Sequence, residues 1–342
     1  MKKIKWIVCI VLILLLSAFA LAGGYYYFVQ KPNTVVQDHG ILFIKEDDSF
    51  ENVFQALQNR GYLVNSFTFR KVAELKKYPS LVKIGRYRIK DGMNNNELVN
   101  MLRSGQQEAI HFTFNNIRTL EDFAGVVARQ LGIDSLSMIN LVRDPEYVNS
   151  LGFTHHTIIG MFIPNTYHIL WNPNPKEFIK RMHAEYLKFW NENRRNKAEK
   201  MNLSPMDITI LASIIEEETN QTEEYPIIAG VYINRLKRGW KLEACPTLKY
   251  ALGDFTLKRI LTKHMEVESP YNTYKYTGLP PGPIRMPSIA VIDAVLNYTV
   301  HDYLFFCAKS DFSGRHSFSK TLKEHNRQAA LYHRALNKKR IY

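Results

Sequence analysis

The sequence predicts an α+β protein with one apolar helix at its N-terminus, a small β/α subdomain, and a mainly helical domain behind it. Three observations predict this. Residues 6–28, WIVCIVLILLLSAFALAGGYYYF, carry no charge and are long enough to cross a bilayer, which takes about 20 residues. The stretch from residue 41 to 133 repeats a short pattern of alternating strand, polar turn, capping residue and amphipathic helix. Beyond residue 134 helical periodicity dominates, interrupted by proline-rich loops. The chain has 342 residues, room for about two domains. A hydrophobic content of 46% with 12% aromatics excludes disorder over most of that length.

At the N-terminus, Lys2, Lys3 and Lys5 precede the apolar run. They are expected to stay cytoplasmic and send the rest of the chain outward. Tyr25, Tyr26 and Tyr27 stand where an interfacial aromatic belt would lie. Ala20-Leu21-Ala22 matches a signal-peptide cleavage pattern, but apolar residues continue past it, so a retained anchor is the expectation. Either way the remainder is exported. The formal net charge of +13 favours polyanionic partners. No Lys/Arg block interleaved with aromatics and no nucleic-acid motif accompanies it, which argues against nucleic acid. Cys9, Cys245 and Cys307 follow no disulfide framework and are expected as free thiols. No Cys/His cluster has metal spacing; His155, His156 and His264 read as packing or surface residues.

Residues 29–40 read as a linker. ILFIKEDDSFENVFQALQNRGYL (41–63), YRIKDGMNNNELVNMLRSG (87–105) and IHFTFNNIRTLEDFAGVVARQLGI (110–133) are three copies of the β-turn-α unit. In the middle copy Asn94 and Glu97 have capping-box spacing and Gly105 is a helix stop. Such units fit ordinary α/β packing and also a small LysM-type carbohydrate-binding module. Residues 134–205 read as helices with one irregular break at GMFIPNTYHILWNPNP (160–175), where prolines forbid a continuous helix and Phe162, Tyr167 and Trp171 gather.

LASIIEEET (211–219) carries three glutamates at the end of an apolar helix. Ser204 caps that helix and Pro205 takes its first position. On a wheel of about 100° per residue, Glu218 falls roughly 35° from the mean apolar direction, and Glu216 and Glu217 more than about 120° away. Glu218 therefore shares the apolar face, while the other two point toward solvent or a partner. Desolvation favours the neutral acid and raises its pKa, which suits a general acid near neutral pH. Three acids at a helix C-terminus also oppose the macrodipole, and such local violations concentrate at functional sites. The next helix carries Ile227, Ile228, Val231 and Leu236 on its inner side. SPYNTYKYTGLPPGPIRMPS (269–288) then has five prolines and cannot be regular structure. Its tyrosines, amide and hydroxyls suit sugar recognition, or a structural Ω-loop.

ASIIEEET, IAGVYINRL, PTLKYALG, SPYNTYKYTGLPPGPI and HSFSKTLKEHN, in this order and spacing, resemble the MltG (YceG-like) family of membrane-anchored endolytic murein transglycosylases. The likeness runs over residues 41–335. It implies a LysM-like subdomain, placed here at 41–108, and a catalytic domain at 109–342 akin to soluble lytic transglycosylases. Those soluble relatives carry an Ile-x-x-x-Glu-Ser pattern. Ile214–Thr219 fits it, with Thr in place of Ser, so the resemblance implies Glu218 as the catalytic acid. Two positions depart from the family: Asn165 where Asp is frequent, and Cys245 where a polar residue is usual.

The implied substrate is the glycan strand of peptidoglycan, cut between N-acetylmuramic acid and N-acetylglucosamine to leave a 1,6-anhydro end, with no metal or organic cofactor. Penicillin-binding synthases are the implied protein partners. Glu224, Asn234, Tyr271, Asn272 and Tyr274 are candidates to orient the sugar or its C6 hydroxyl, or to brace the loop. A hydrolytic muramidase with Glu224 as second carboxylate and a non-catalytic glycan-binding scaffold are the competing readings.

Overall fold

The computed structural model describes residues 2–257 and 260–338. Helix α1 (Lys2–Tyr25) runs into a π-helical turn at Tyr26–Gln30. Together Lys3–Gln30 form 28 residues long and apolar enough to cross a membrane. Length and composition fit an anchor and a signal sequence equally.

The chain divides into two compact units. One takes the residues up to Phe112 with Gln130–Gly132 and Tyr167–Pro173; the other takes Thr113–Arg129, Ile133–Thr166 and the residues from Asn174 onward. In the first, β1 (Ile41–Ile44), α2 (Phe50–Asn59), α3 (Ser66–Leu75), β2 (Gly85–Arg88) and α4 (Asn95–Ser104) follow in order. β1 and β2 pair antiparallel with Ile41 opposite Arg88 and Ile44 opposite Gly85. Alternation points Leu42 and Ile44 inward, where Phe54, Leu57, Phe69, Tyr87, Leu98 and Leu102 complete the core. The helix starts follow the expected chemistry. Ser49 and Asn52 form a capping box, as do Asn94 and Glu97, and Gly105 ends α4 at a φ of 75°, a conformation that favours glycine. Residues 32–34, in the stretch read as a linker, are built into this unit. Thr34 bridges to Leu63, and the buried Asn33 amide donates to Asn65 O at 2.9 Å and Asn95 Oδ1 at 2.6 Å.

The third β-turn-α copy forms β3 (Ile110–Thr113) and α5 (Leu120–Leu131), with Thr119 Oγ1 accepting from Asp122 N. Helices α6 (Ser135–Arg143) and α7 (Pro145–Ser150) follow. The 160–175 segment is not wholly irregular: it carries β4 (Thr166–Ile169), which pairs with β3. Thr113 and Thr166 share a hydrogen bond across 53 residues of chain. Pro164 and Pro173 bracket this strand, and four residues are too few for alternation to announce it. Phe162 and Tyr167 are core residues.

The rest is mostly helical: α8 (Pro175–Phe189), α9 (Glu192–Lys200), α10 (Pro205–Glu218), α11 (Tyr225–Lys237), α12 (Cys245–Leu252), α13 (Ile289–Leu296), the hairpin β5 (Phe305–Ala308) and β6 (His316–Ser319), and α14 (Leu322–Lys338). α10 starts as its sequence predicts, with Pro205 first and Ser204 and Asp207 forming a capping box. Every residue from Ile208 to Ile215 is buried, which marks a central helix rather than a surface one. It packs against α11, α12 and α13.

The proline-rich loop is threaded along α10. Ile284 N donates to Ser213 Oγ at 3.0 Å and Met286 N to Ile117 O at 2.9 Å. Residues 282–287 are all buried, so this half of the loop is core. Gly282 permits the close approach, because a Cβ there would overlap the His156 carbonyl oxygen. A backbone atom cannot yield as a side chain can. Gly282→Ala is expected to destabilise the fold by about 1–3 kcal/mol, read as a lowered midpoint in thermal or urea unfolding.

Candidate active site

Glu218 is the last residue of α10. Its carboxylate accepts a hydrogen bond of 2.7 Å from the Tyr232 hydroxyl on α11. Tyr232 in turn packs edge-on against Phe306 of β5, ring centres 5.8 Å apart. One turn further along α11, the buried Arg235 ties three segments together. It donates to Leu304 O at 2.7 Å, to Leu242 O at 2.9 Å and to Glu243 at 2.9 Å. The result is an open cleft of about 410 Å³, with Glu218, Tyr232 and Arg235 on one wall and Phe305, Phe306, Cys307 and His316 of the hairpin on another. Cys245 and Tyr274 close a third side.

The carboxylate is only partly exposed to this cleft. Burial pushes Glu218 from its ordinary 4.5 up to about 7. The Tyr232 hydrogen bond and the Lys249 charge pull the other way, and Glu217 adds to the rise. Tyr232 is held well above its usual range, first by burial and then by the Glu218 charge, so it is always a donor. Cys245 and Cys307 are free thiols, both pushed up by burial, and neither is a ready nucleophile.

Glu216 and Glu217 point to partners rather than solvent. Arg285 of the proline-rich loop lies 3.2 Å from Glu216 and 2.6 Å from Glu217. Arg118 grips Glu217 through both carboxylate oxygens at 2.9–3.1 Å. Ser288 N donates to Glu216.

Of the six residues singled out from sequence, Glu218 and Tyr274 line the cleft. Tyr274 sits there beside Cys245, hydroxyl to sulfur 3.1 Å. The other four lie elsewhere. Glu224 is 5% exposed and accepts from His316 N at 2.8 Å, while its other oxygen is 2.8 Å from His316 Nδ1 and 3.3 Å from Thr219 Oγ1. It thereby fastens the end of α10 to β6. Asn234 donates to His301 O and Tyr303 O, holding the approach to β5. The buried Asn272 donates to Met265 O and Val267 O and accepts from Tyr274 N. The Tyr271 hydroxyl is 3.3 Å from His156 Nδ1. Asn165 accepts from Thr166 N at 2.8 Å and does not line the cleft.

Sequence reasoning missed Tyr232, Arg235, His316 and the aromatic wall of β5. A faint signal existed for one: Arg235 lies four and seven residues after Val231 and Ile228, on the buried stripe of α11, where an unpaired cation would be costly. Among the described residues, no three His, Cys, Asp or Glu side chains gather closely enough to hold a metal ion.

The YceG-like family model matches residues 42–331. The chain belongs to the YceG-like family. It is 31% identical over 270 residues to a protein of Bacillus subtilis (strain 168) named endolytic murein transglycosylase, covering 75% of this chain and 74% of that one. A protein of the same name from Streptococcus pneumoniae (strain ATCC BAA-255 / R6) is 25% identical over 93% of this chain, which spans only 64% of that relative's length. The crystal structure of a YceG-like protein from Listeria monocytogenes superposes with a TM-score of 0.55 at 28% identity, covering 84% of this chain and 98% of that one.

Two outcomes follow for this YceG-like site. Between about pH 4.5 and 7 folded Glu218 keeps a proton that the unfolded chain has released, so wild-type stability falls as pH rises through that window. Glu218→Gln escapes this. Its unfolding free energy should exceed the wild type's near pH 8, by about 3 kcal/mol for a rise from 4.5 to about 7, and the gap should close near pH 4.5. Tyr232→Phe removes a bond that favours the charged carboxylate. The alkaline limb of any activity that needs protonated Glu218 should then move up by about one pH unit in a pH–rate profile.

Proposed function

We propose that this chain is a membrane-anchored endolytic lytic transglycosylase of peptidoglycan. Glu218 in its acid form protonates the glycosidic oxygen between N-acetylmuramic acid and N-acetylglucosamine. As that bond breaks, the C6 hydroxyl of the muramoyl residue attacks its own C1. The new Glu218 carboxylate takes the hydroxyl proton and returns to the acid form. The products are one strand with a free 4-hydroxyl and one with a 1,6-anhydro end. No water is consumed, and one carboxylate serves as acid and then base.

The observation that carries this reading is Glu218 itself: a single acid poised near neutrality by burial, at the wall of a cleft, hydrogen-bonded by Tyr232. The cleft's other carboxylate, Glu243, is occupied by Arg235. Glu224 is saturated by His316 and Thr219, which weighs against it as a second catalytic carboxylate and so against the muramidase. The names of the curated relatives support the same substrate.

The apolar helix supports a single-pass anchor in the plasma (inner) membrane, with Lys2, Lys3 and Lys5 inside and the catalytic domain outside. The two-stranded β1–β2 unit with its helices is the candidate LysM-like module at 41–108. Ending nascent strands and working beside penicillin-binding synthases rest on the family resemblance.

The test is mass analysis of fragments released from purified peptidoglycan. The wild type should yield anhydro-ended products, and Glu218→Gln should lose at least about a hundredfold in rate. Products heavier by one water would establish a muramidase instead, and no products from the wild type would leave the glycan-binding scaffold.

A further inference from the structure

The Glu218 cleft continues into a second one. Glu243, Phe305 and Leu322 line both it and a broader cleft of about 720 Å³. The broader cleft adds Trp240, Arg238, Lys241 and Lys320. Trp240 is 42% exposed and rigidly placed. It follows Gly239, at a φ of 65°, in the turn that ends α11, and its backbone N–H donates to Arg235 O at 2.9 Å. Its ring leans on Phe305, centres 6.1 Å apart, with the Arg238 guanidinium 5.9 Å from the indole.

The cations around this indole are in surplus. Lys320 is paired with Asp302 at 2.9 Å and Glu243 with Arg235. Among the described residues Arg238 and Lys241 make no ion pair. A half-exposed indole beside two unpaired cations, continuous with the catalytic cleft, suits a polymer that offers both an apolar sugar face and carboxylates. An aromatic ring presents a large flat apolar surface with a polar edge. Arginine adds bidentate recognition of a carboxylate.

We propose that this second cleft binds the glycan strand beyond the scissile bond, one sugar ring stacked on Trp240 and the carboxylates of its stem peptide paired with Arg238 and Lys241. The substrate class rests on the peptidoglycan reading above; the site does not depend on Glu218 being the acid. Peptide-bearing strands are thus held more tightly than bare glycan.

Calorimetric titration of the full chain in detergent, carrying Glu218→Gln to prevent turnover, tests this. The ligands are glycan oligomers with stem peptides and the same oligomers stripped by an amidase. Trp240→Ala should weaken both about tenfold, in keeping with the loss of one aromatic contact, and Trp240→Phe should restore most of that. Arg238→Ala with Lys241→Ala should weaken the peptide-bearing oligomers about tenfold and the stripped ones, which keep only a lactyl carboxylate per muramoyl residue, much less, and added salt should erase that difference. Unchanged affinity in Trp240→Ala, or equal loss of both ligands in the double variant, would overturn the proposal. Binding that depends on Trp240 in a chain whose wild type releases no products would sink the catalytic reading and leave this site standing. Cleavage by the wild type with binding indifferent to Trp240 would do the reverse.

Discussion

Three consecutive carboxylates at the C-terminal end of a buried helix are the constraint on which the larger unit is built. The unpaired carbonyls of α10 already make that end negative, and the helix is buried from Ile208 to Ile215, just before the three acids. Each glutamate is accommodated differently. Glu217 is shared by Arg118 and Arg285, and Glu216 takes Arg285 and the Ser288 amide. Both arginines come from elsewhere in the sequence. The path of the proline-rich loop therefore depends on this cluster: residues 282–287 run buried beside α10, with Arg285 aimed at the helix end. Removing that arginine would leave Glu216 with only the Ser288 amide and Glu217 with only Arg118, a larger loss than the pair's own net contribution. Among the described residues, Glu218 has no cation in contact. It keeps its proton instead, and that is the state a general acid requires.

The opposite wall of the cleft is fixed by the same economy of long-range contacts. β5 and β6 are four residues each, too short to hold a wall in place alone. Arg235 reaches the carbonyl just before β5, Asn234 reaches two others upstream, and Glu224 clamps the first residue of β6. α11 is thus both the donor of Tyr232 to the acid and the support of the hairpin facing it. Gly230 lets that helix lie against the irregular segment leading to the hairpin, since a Cβ there would overlap the Thr299 carbonyl oxygen.

What the sequence disclosed follows from how local each signal is. Caps are written within four residues, and Ser49, Asn94 and Ser204 all act as their neighbours suggest. The turn of a helix separates Glu218 from Glu216 and Glu217, so a wheel distinguishes them. It could not say that arginines 99 and 68 residues away would receive Glu217. β4 was hidden because its partner strand lies far upstream. Tyr271 and Asn272 were conspicuous for their chemistry, yet an amide and a phenol in a proline-rich turn can be satisfied by the turn itself, as Asn272 is by Met265 and Val267. The aromatic hairpin wall was illegible for the converse reason: Phe305 and Phe306 look like any strand core until α11 is seen to carry Tyr232 beside them.

The tuning of Glu218 gives a physical reason for one group to act twice. Burial alone would drive the acid further up and leave a carboxylate too unstable to form as the leaving group departs. The Tyr232 hydroxyl offsets part of that cost by donating to the anion. Because the phenol is itself buried and far from ionising, it donates equally whether Glu218 has just lost its proton or is about to regain it. A group near pH 7 is matched to both halves of a proton exchange at neutral pH, since neither form is deeply favoured. A second carboxylate would disturb this balance by raising the acid further through like-charge repulsion. Glu217 already contributes such repulsion, and its pairing with Arg118 and Arg285 limits it.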